Sequence, residues 1–164
     1  MITLRKITPQ DNDQISILVK KVMTELNCAG EGFSLHDSEL EDMFDNYNRD
    51  GHVFYVFAKD EQVLGCGGIG VLSGEDDICE LKKMYFYQDL RGKGNSNLLM
   101  EKLLQFAKLN YKGVYIETMD HMVAARNLYE KYGFKKINGP MGNTGHFGCN
   151  TFYYLDLNSF KDQS

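Results

Sequence analysis

The run Met84-Tyr85-Phe86-Tyr87-Gln88-Asp89-Leu90-Arg91-Gly92-Lys93-Gly94-Asn95-Ser96 constrains this chain more than any other stretch, because it reads as a strand, a basic glycine turn and the start of a helix. Gly92 and Gly94 let the backbone come close to a ligand, and the first N–H groups of a helix have no intrahelical acceptor and point into such a turn. That arrangement holds phosphate. Arg91 and Lys93 add positive charge at the same spot, which suits a polyphosphate guest, whether nucleotide, dinucleotide or coenzyme A. The bland alternative is a solvated turn without a ligand, so the rest of the chain has to decide.

The setting is narrow. With 164 residues, 43% of them hydrophobic and 12% aromatic, the chain has apolar material for one compact domain with one core. A net charge of −5 argues against a general nucleic-acid binder, which displays excess Lys and Arg along one face. No N-terminal stretch joins a basic start, an apolar run and a small-residue cleavage site, and no apolar run approaches the roughly 20 residues that span a bilayer. A cytoplasmic protein without a membrane partner is therefore expected. Cys28, Cys66, Cys79 and Cys149 are scattered without a C-x-x-C pair, which suits a reducing compartment and supplies no zinc framework, so no metal is expected.

Periodicity gives the organisation. Ile2 to Ile7 alternates as a short strand, Pro9 punctuates, and Ile15, Leu18, Val19, Val22 and Leu26 share one face of a helix over Asp11 to Leu26. A second helix is expected to start at Asp37 or Ser38, either of which can cap it, and to carry Leu40, Met43, Phe44 and Tyr47 inward. Val53 to Ala58 and Val63 to Leu72 form a hairpin about Asp60-Glu61, and Ile78 to Phe86 is the strand that feeds the glycine turn. A helix follows from Gly94 to Asn110, burying Leu99, Leu103, Phe106 and Ala107. Then come a strand at Val114 to Thr118, a helix from Met122 to Tyr132 ended by Gly133, and strands at Phe134 to Ile137 and Thr151 to Leu157. The expected layout is a single α/β domain over residues 1–160 with a short loose tail at 161–164.

Known phosphate cradles can be compared with the turn. Gly92-Lys93-Gly94-Asn95-Ser96 cannot be fitted to the P-loop spacing G-x-x-x-x-G-K-[ST]. A dinucleotide fingerprint G-x-G-x-x-G would need glycine at Asn97, although Glu117 at the end of the next strand imitates the ribose-binding acid. By contrast, Arg91-x-x-Gly94-x-Ser96, between a strand and a helix, resembles the acyl-coenzyme A signature of the GNAT superfamily of N-acetyltransferases, with Ser96 in place of a final Gly or Ala. Ala125-Arg126-Asn127-Leu128-Tyr129-Glu130-Lys131-Tyr132-Gly133-Phe134 is similar to its A-x-x-x-Y-x-K-x-G-F segment, and the order of elements follows the same superfamily over nearly the whole chain.

The resemblance implies the GNAT fold, a mixed and mostly antiparallel sheet with two splayed parallel strands, flanked by helices. It also implies acetyl-coenzyme A as cosubstrate, an amine-bearing small molecule or peptide as acceptor, and room for a homodimer. Backbone groups of Met84, Tyr85 and Phe86 would hold the pantetheine arm, and Arg91, Gly92, Lys93, Gly94, Asn95 and Ser96 the pyrophosphate. A catalytically silent acyl-coenzyme A sensor on the same fold is the alternative.

Transfer to an amine needs a base for the ammonium proton and an acid for the departing thiolate. Glu80 and Tyr129 are the candidates the resemblance supplies. Against Glu80 stands the reading of an exposed strand end, with Lys82 on the same face forming a salt bridge that lowers its basicity. Against Tyr129 stands simple aromatic packing. Met122 occupies a position where the superfamily often has Asn. Phe33, in the Cys28 to Phe33 loop, and His146, in the Gly139 to Cys149 loop, are candidates for acceptor binding, the two loops being expected on opposite sides of the pocket. A Cys149–His146 nucleophile or half of a metal site is the sharper reading of the second loop, and a turn histidine beside a partly buried cysteine the plainer and preferred one.

Overall fold

The computed structural model describes residues 1–160, so the expected tail at 161–164 lies outside the described residues. Its frame is one seven-stranded sheet in the order β1-β2-β3-β4-β5-β7-β6. The strands are β1 (Ile2–Lys6), β2 (Val53–Lys59), β3 (Gln62–Val71), β4 (Ile78–Phe86), β5 (Gly113–Thr118), β6 (Lys135–Ile137) and β7 (Thr151–Asp156). Every neighbouring pair is antiparallel except β4 and β5. That one parallel pair requires a crossover, which α3 (Asn95–Asn110) supplies.

Both faces of the sheet are covered. Helix α3 lays Leu99, Met100, Leu103, Leu104 and Ala107, none of them exposed, against the face that also receives Tyr129 of α4 (Val123–Lys131). Burying side chains of this size contributes about 1.5–3 kcal/mol each. On the other face, α1 (Asn12–Glu25) packs Ile15, Leu18, Val19 and Val22 against Phe54, Val56 and Cys66, together with Met43 and Tyr47 of α2 (Met43–Tyr47).

The expected second helix is the main departure from the periodicity. The chain runs from Ser34 to Tyr47 as two short 3-10 turns, Ser34–His36 and Ser38–Glu41, followed by the five-residue α2. Leu40, Met43 and Tyr47 are buried as expected, and Phe44 only partly. The physical reason is that Asp37, though it stands at the N-cap of the Ser38–Glu41 turn, makes no side-chain cap hydrogen bond: its carboxylate is engaged by Lys83 at 2.7 Å and His146 at 2.8 Å. Asp42 caps α2 instead, accepting from the Asp45 N–H at 3.1 Å.

Strand β4 carries a bulge. Cys66 faces Tyr85 and Gly68 faces Lys82, so Gly67 alone opposes both Lys83 and Met84. Lys83 absorbs the extra residue in a left-handed conformation, φ +54°. The alternation shifts there: Cys79 and Leu81 face α3, as do Met84 and Phe86 after the bulge, while Tyr85 faces the α1 side. Glu80, Lys82 and the buried Lys83 are therefore all gathered on the α1 side, where they meet the Asp37–Glu39 segment.

Candidate active site

The parallel pair holds together for only three positions, Ile78 with Gly113, Cys79 with Val114 and Glu80 with Tyr115, and then opens. Beyond Glu80 a slot separates Met84 and Tyr85 from Ile116, Glu117 and Thr118, with Cys28 and Phe33 at one wall and Met122 and Tyr129 at another. The β4 edge along this slot has no strand partner, which leaves backbone groups available to an extended guest. Met84 and Tyr85 line the slot. Phe86 does not line the slot: its ring packs on Phe57 at 5.7 Å and its carbonyl accepts from Arg91 Nε at 2.9 Å.

Past Phe86 the chain makes a 3-10 turn at Gln88–Leu90 and reaches the exposed residues Arg91, Gly92, Lys93 and Gly94. Gly92 at φ +71° and Gly94 at φ +82° are left-handed, and a Cβ placed on either would meet nothing within 4 Å. No neighbour thus crowds the turn, and the glycines serve its curvature and leave its concave side open. Gly94 is the N-cap of α3 and has no side chain to cap it, while Asn95 bonds back to the Leu90 carbonyl at 3.1 Å. The first N–H groups of α3, through Asn95 and Ser96, face this space without a side-chain cap.

On the α1 side of the sheet lies a cluster of charges. Lys83, with a fully covered side chain, is bonded to Asp37 and Glu39, and Lys82 lies 3.4 Å from Glu39 and 3.8 Å from Glu80. His146 presents Nε2 to Asp37 at 2.8 Å and turns Nδ1 toward Glu117 at 3.6 Å and Glu80 at 4.0 Å. Glu117 is held through Oε1, which accepts from Tyr115 Oη at 3.0 Å and Thr144 Oγ1 at 2.6 Å. Its Oε2 is buried without a hydrogen-bond partner, a rare condition for a carboxylate oxygen.

This corrects two expectations. Glu80 is no exposed strand end: only 4% of it is accessible, and burial pushes its carboxyl up to about 7, outweighing the cations Lys82 and His146. Lys82, 3.8 Å away, does lower it, but by less than burial raises it. Nor is His146 an idle turn residue. Burial disfavours its charge, but the hydrogen bond it donates to Asp37 and the facing Glu117 and Glu80 prevail, raising it to about 9. At neutral pH it is an imidazolium. Glu80, Glu117 and His146 also bring one ligand-type atom each within 4.8 Å of one another, a set that could hold a metal ion on loss of the His146 proton.

Tyr129 packs against Phe134 and Tyr153, at 6.0 and 5.8 Å, and also lines the slot, so the packing and lining readings both hold. Burial, then the neighbouring Tyr153, raises its hydroxyl well above its ordinary range, which keeps the proton on. Burial, followed by Glu117, likewise pushes the Cys149 thiol up to about 12, the opposite of what a nucleophilic cysteine requires. The two loops expected on opposite sides are joined: Gly148 N–H donates to the Gly32 carbonyl at 2.9 Å. Phe33 accordingly lines the slot, while His146 lines an adjoining polar cleft with Glu80, Lys82, Asp37 and Thr144.

Asp37, Lys83 and Glu117 were missed as site residues by reading the sequence. For Glu117 there was a signal: a parallel partner for β4 sets Tyr115 and Glu117 on the face of Glu80, though the register that does so cannot be read from one chain. Among the described residues no helix is long and apolar enough to cross a membrane.

Comparison with known proteins agrees with this geometry. The family model described as Acetyltransferase (GNAT) family matches residues 20–134. An uncharacterized N-acetyltransferase of Escherichia coli, YjgM, is 37% identical over 89% of this chain and 89% of its own. N-acetylaspartate synthetase of Xenopus tropicalis is 32% identical over 72% of this chain, which spans 42% of that longer protein. The crystal structure of a GNAT-family acetyltransferase from Staphylococcus aureus Mu50 superposes with a TM-score of 0.82 at 21% identity, covering 96% of this chain and 99% of that one, and shares the fold. The chain therefore belongs to the acetyltransferase (GNAT) family and is an acyltransferase enzyme.

Proposed function

We propose that the protein transfers the acetyl group of acetyl-coenzyme A to a primary amine by direct attack in a ternary complex. The observation that carries this reading is the opening of β4 from β5 after Glu80, on the strand that leads into the uncapped, glycine-lined start of α3. An extended pantetheine arm fits the open strand edge at Met84 and Tyr85. A pyrophosphate fits Arg91 to Ser96, with Gly92, Gly94 and the first α3 amides as donors and Arg91 and Lys93 adding charge. Bound acetyl-coenzyme A supplies the activated acyl group.

The chain's own residues then do three things. The cleft aligns amine and thioester, which accounts for most of the acceleration, and open backbone donors on β4 polarise the carbonyl. Glu80, with a carboxyl that titrates near neutrality, takes up the acceptor's proton. Tyr129, protonated throughout, donates to the departing thiolate. The acceptor is a small amine that enters past Phe33 and His146. N-acetylaspartate synthetase, by its name, acetylates the amine of an amino acid, and its similarity supports beginning the acceptor search with amino acids.

The test is release of coenzyme A from acetyl-coenzyme A, offered with amino acids, polyamines, alkylamines and a lysine peptide. Amine-dependent release by at least one class is expected. Tight binding of acetyl-coenzyme A with no amine-dependent release would instead identify an acyl-coenzyme A sensor.

A further inference from the structure

We propose that Glu117 receives the acceptor's ammonium and takes its proton, and that His146, held by Asp37, positions Glu117 against Glu80 so that the proton can leave. This rests on the transferase reading above, and it gives the first contact with the acceptor to Glu117.

Three observations carry it. Glu117 lines the slot between the splayed strands, whereas Glu80 lines the polar cleft behind it. Oε2 of Glu117 is the one buried side-chain nitrogen or oxygen without a hydrogen-bond partner among the described residues, on a side chain only 4% exposed; the His146 Nδ1 that faces it stands 3.6 Å away, beyond hydrogen-bond reach. Leaving a carboxylate oxygen so placed costs free energy unless a donor arrives to meet it, and a primary ammonium is such a donor. The hydroxyls of Tyr115 and Thr144 both bond to Oε1, which fixes the carboxylate and leaves Oε2 able to accept a hydrogen bond. The site therefore asks for a compact cationic nitrogen with hydrogen atoms to donate.

The rest of the cluster explains where the proton goes. His146 Nδ1 stands between the two glutamates, 3.6 Å from Glu117 and 4.0 Å from Glu80, and Nε2 is fixed by Asp37. Lys82 and Lys83 offset the remaining charge of Asp37 and Glu39. The step balances. The ammonium gives one proton to Glu117, its nitrogen lone pair forms the new C–N bond, and the C–S bond breaks. The second proton lost by nitrogen matches the one gained by the thiolate. His146 gives its Nδ1 proton to Glu80, which releases it through the polar cleft, and Nδ1 then takes up the proton from Glu117, so that the imidazolium is restored. Glu80, whose buried carboxyl titrates near neutrality, is suited to that release.

The test compares two acceptors: the amine from the panel that the native protein uses best, and the O-alkylhydroxylamine of the same skeleton, which is unprotonated at neutral pH. In Glu117→Gln, kcat for the amine should fall by about 100-fold or more, while the hydroxylamine should retain turnover within about tenfold of native, with coenzyme A affinity unchanged. Glu80→Gln should cost less than Glu117→Gln. In His146→Gln, which removes the cation facing Glu80, the acidic limb of the kcat–pH profile should move to higher pH, a shift that loss of mere packing would not produce. Equal losses for the two acceptors in Glu117→Gln, or full activity in that variant, would overturn the assignment and leave the transferase reading intact. If Glu117→Gln does not fold, Glu117→Asp withdraws the carboxylate by one methylene, and the same selective loss is expected. No release by the native protein from any amine overturns both readings together.

Discussion

Between Arg91 and Ser96 consecutive residues build one end of the cleft out of backbone: two left-handed glycines and the uncapped start of a helix. At the other end Asp37, Glu80, Lys83, Glu117 and His146 come from four separate stretches, and the groups that meet there are side chains. The first end is exposed and needs only local sequence to form, whereas the second is covered and exists only when the sheet register and two loops are in place. The difference separates what a phosphate requires, a fixed set of N–H donors, from what an amine requires, a negative oxygen placed in the dry part of the site.

That contrast breaks most readily at the glycines. Gly94→Ala puts a side chain where φ is +82° and into open space next to the helix start, so we expect the KM for acetyl-coenzyme A to rise by about 100-fold, as one or two phosphate hydrogen bonds are lost at about 1.5–3 kcal/mol each. The acceptor KM should stay within a few-fold, and a parallel rise in both would mean the two ends are one site. Tyr129→Phe belongs to neither end and should lower kcat by about 10- to 100-fold with coenzyme A affinity unchanged, as measured by steady-state kinetics beside direct binding. Unchanged turnover would remove Tyr129 from the mechanism.

Acidity sharpens the comparison further. Glu80 must be ionised to carry a proton away and titrates at about 7, so kcat should fall about tenfold for each pH unit below that point. His146 must be charged to hold its glutamates and titrates at about 9, so kcat should fall again above it. Coenzyme A affinity, resting on backbone donors, should be flat between those values, and a matching bell in binding would count against the division. The smallest effect is expected for Lys93→Ala. An exposed cation near a helix start contributes about 0.3–1 kcal/mol, so coenzyme A affinity should drop only a few-fold and most visibly at low salt.

What could be read from the chain follows the same division. The turn was legible because Gly92 and Gly94 state their purpose locally, and the strands because β-branched and aromatic runs were bounded by Asp60-Glu61 and Glu75 to Asp77. The second helix was misread because Asp37 looks like a cap but is engaged by Lys83 and His146, residues 46 and 109 positions away. Glu80 looked exposed for a similar reason, since its burial comes from the 34–41 segment and the 139–149 loop, neither of which announces where it docks. Lys83 could not be found at all, because nothing in the sequence marks a lysine that will take a left-handed conformation inside a strand.

The bulge at Lys83 divides β4 into two reading frames. Ahead of it, even-numbered residues such as Glu80 and Lys82 look toward the proposed acceptor cluster, and beyond it the odd-numbered Tyr85 looks to that side while Met84 and Phe86 look toward α3. Substitutions on one side of the bulge can therefore retune one end of the cleft without changing the orientation of the other. Removing the extra residue would merge the frames: Met84 would follow Lys82 directly and Tyr85 would keep its side, while Asp37 and Glu39 would lose the buried lysine they share.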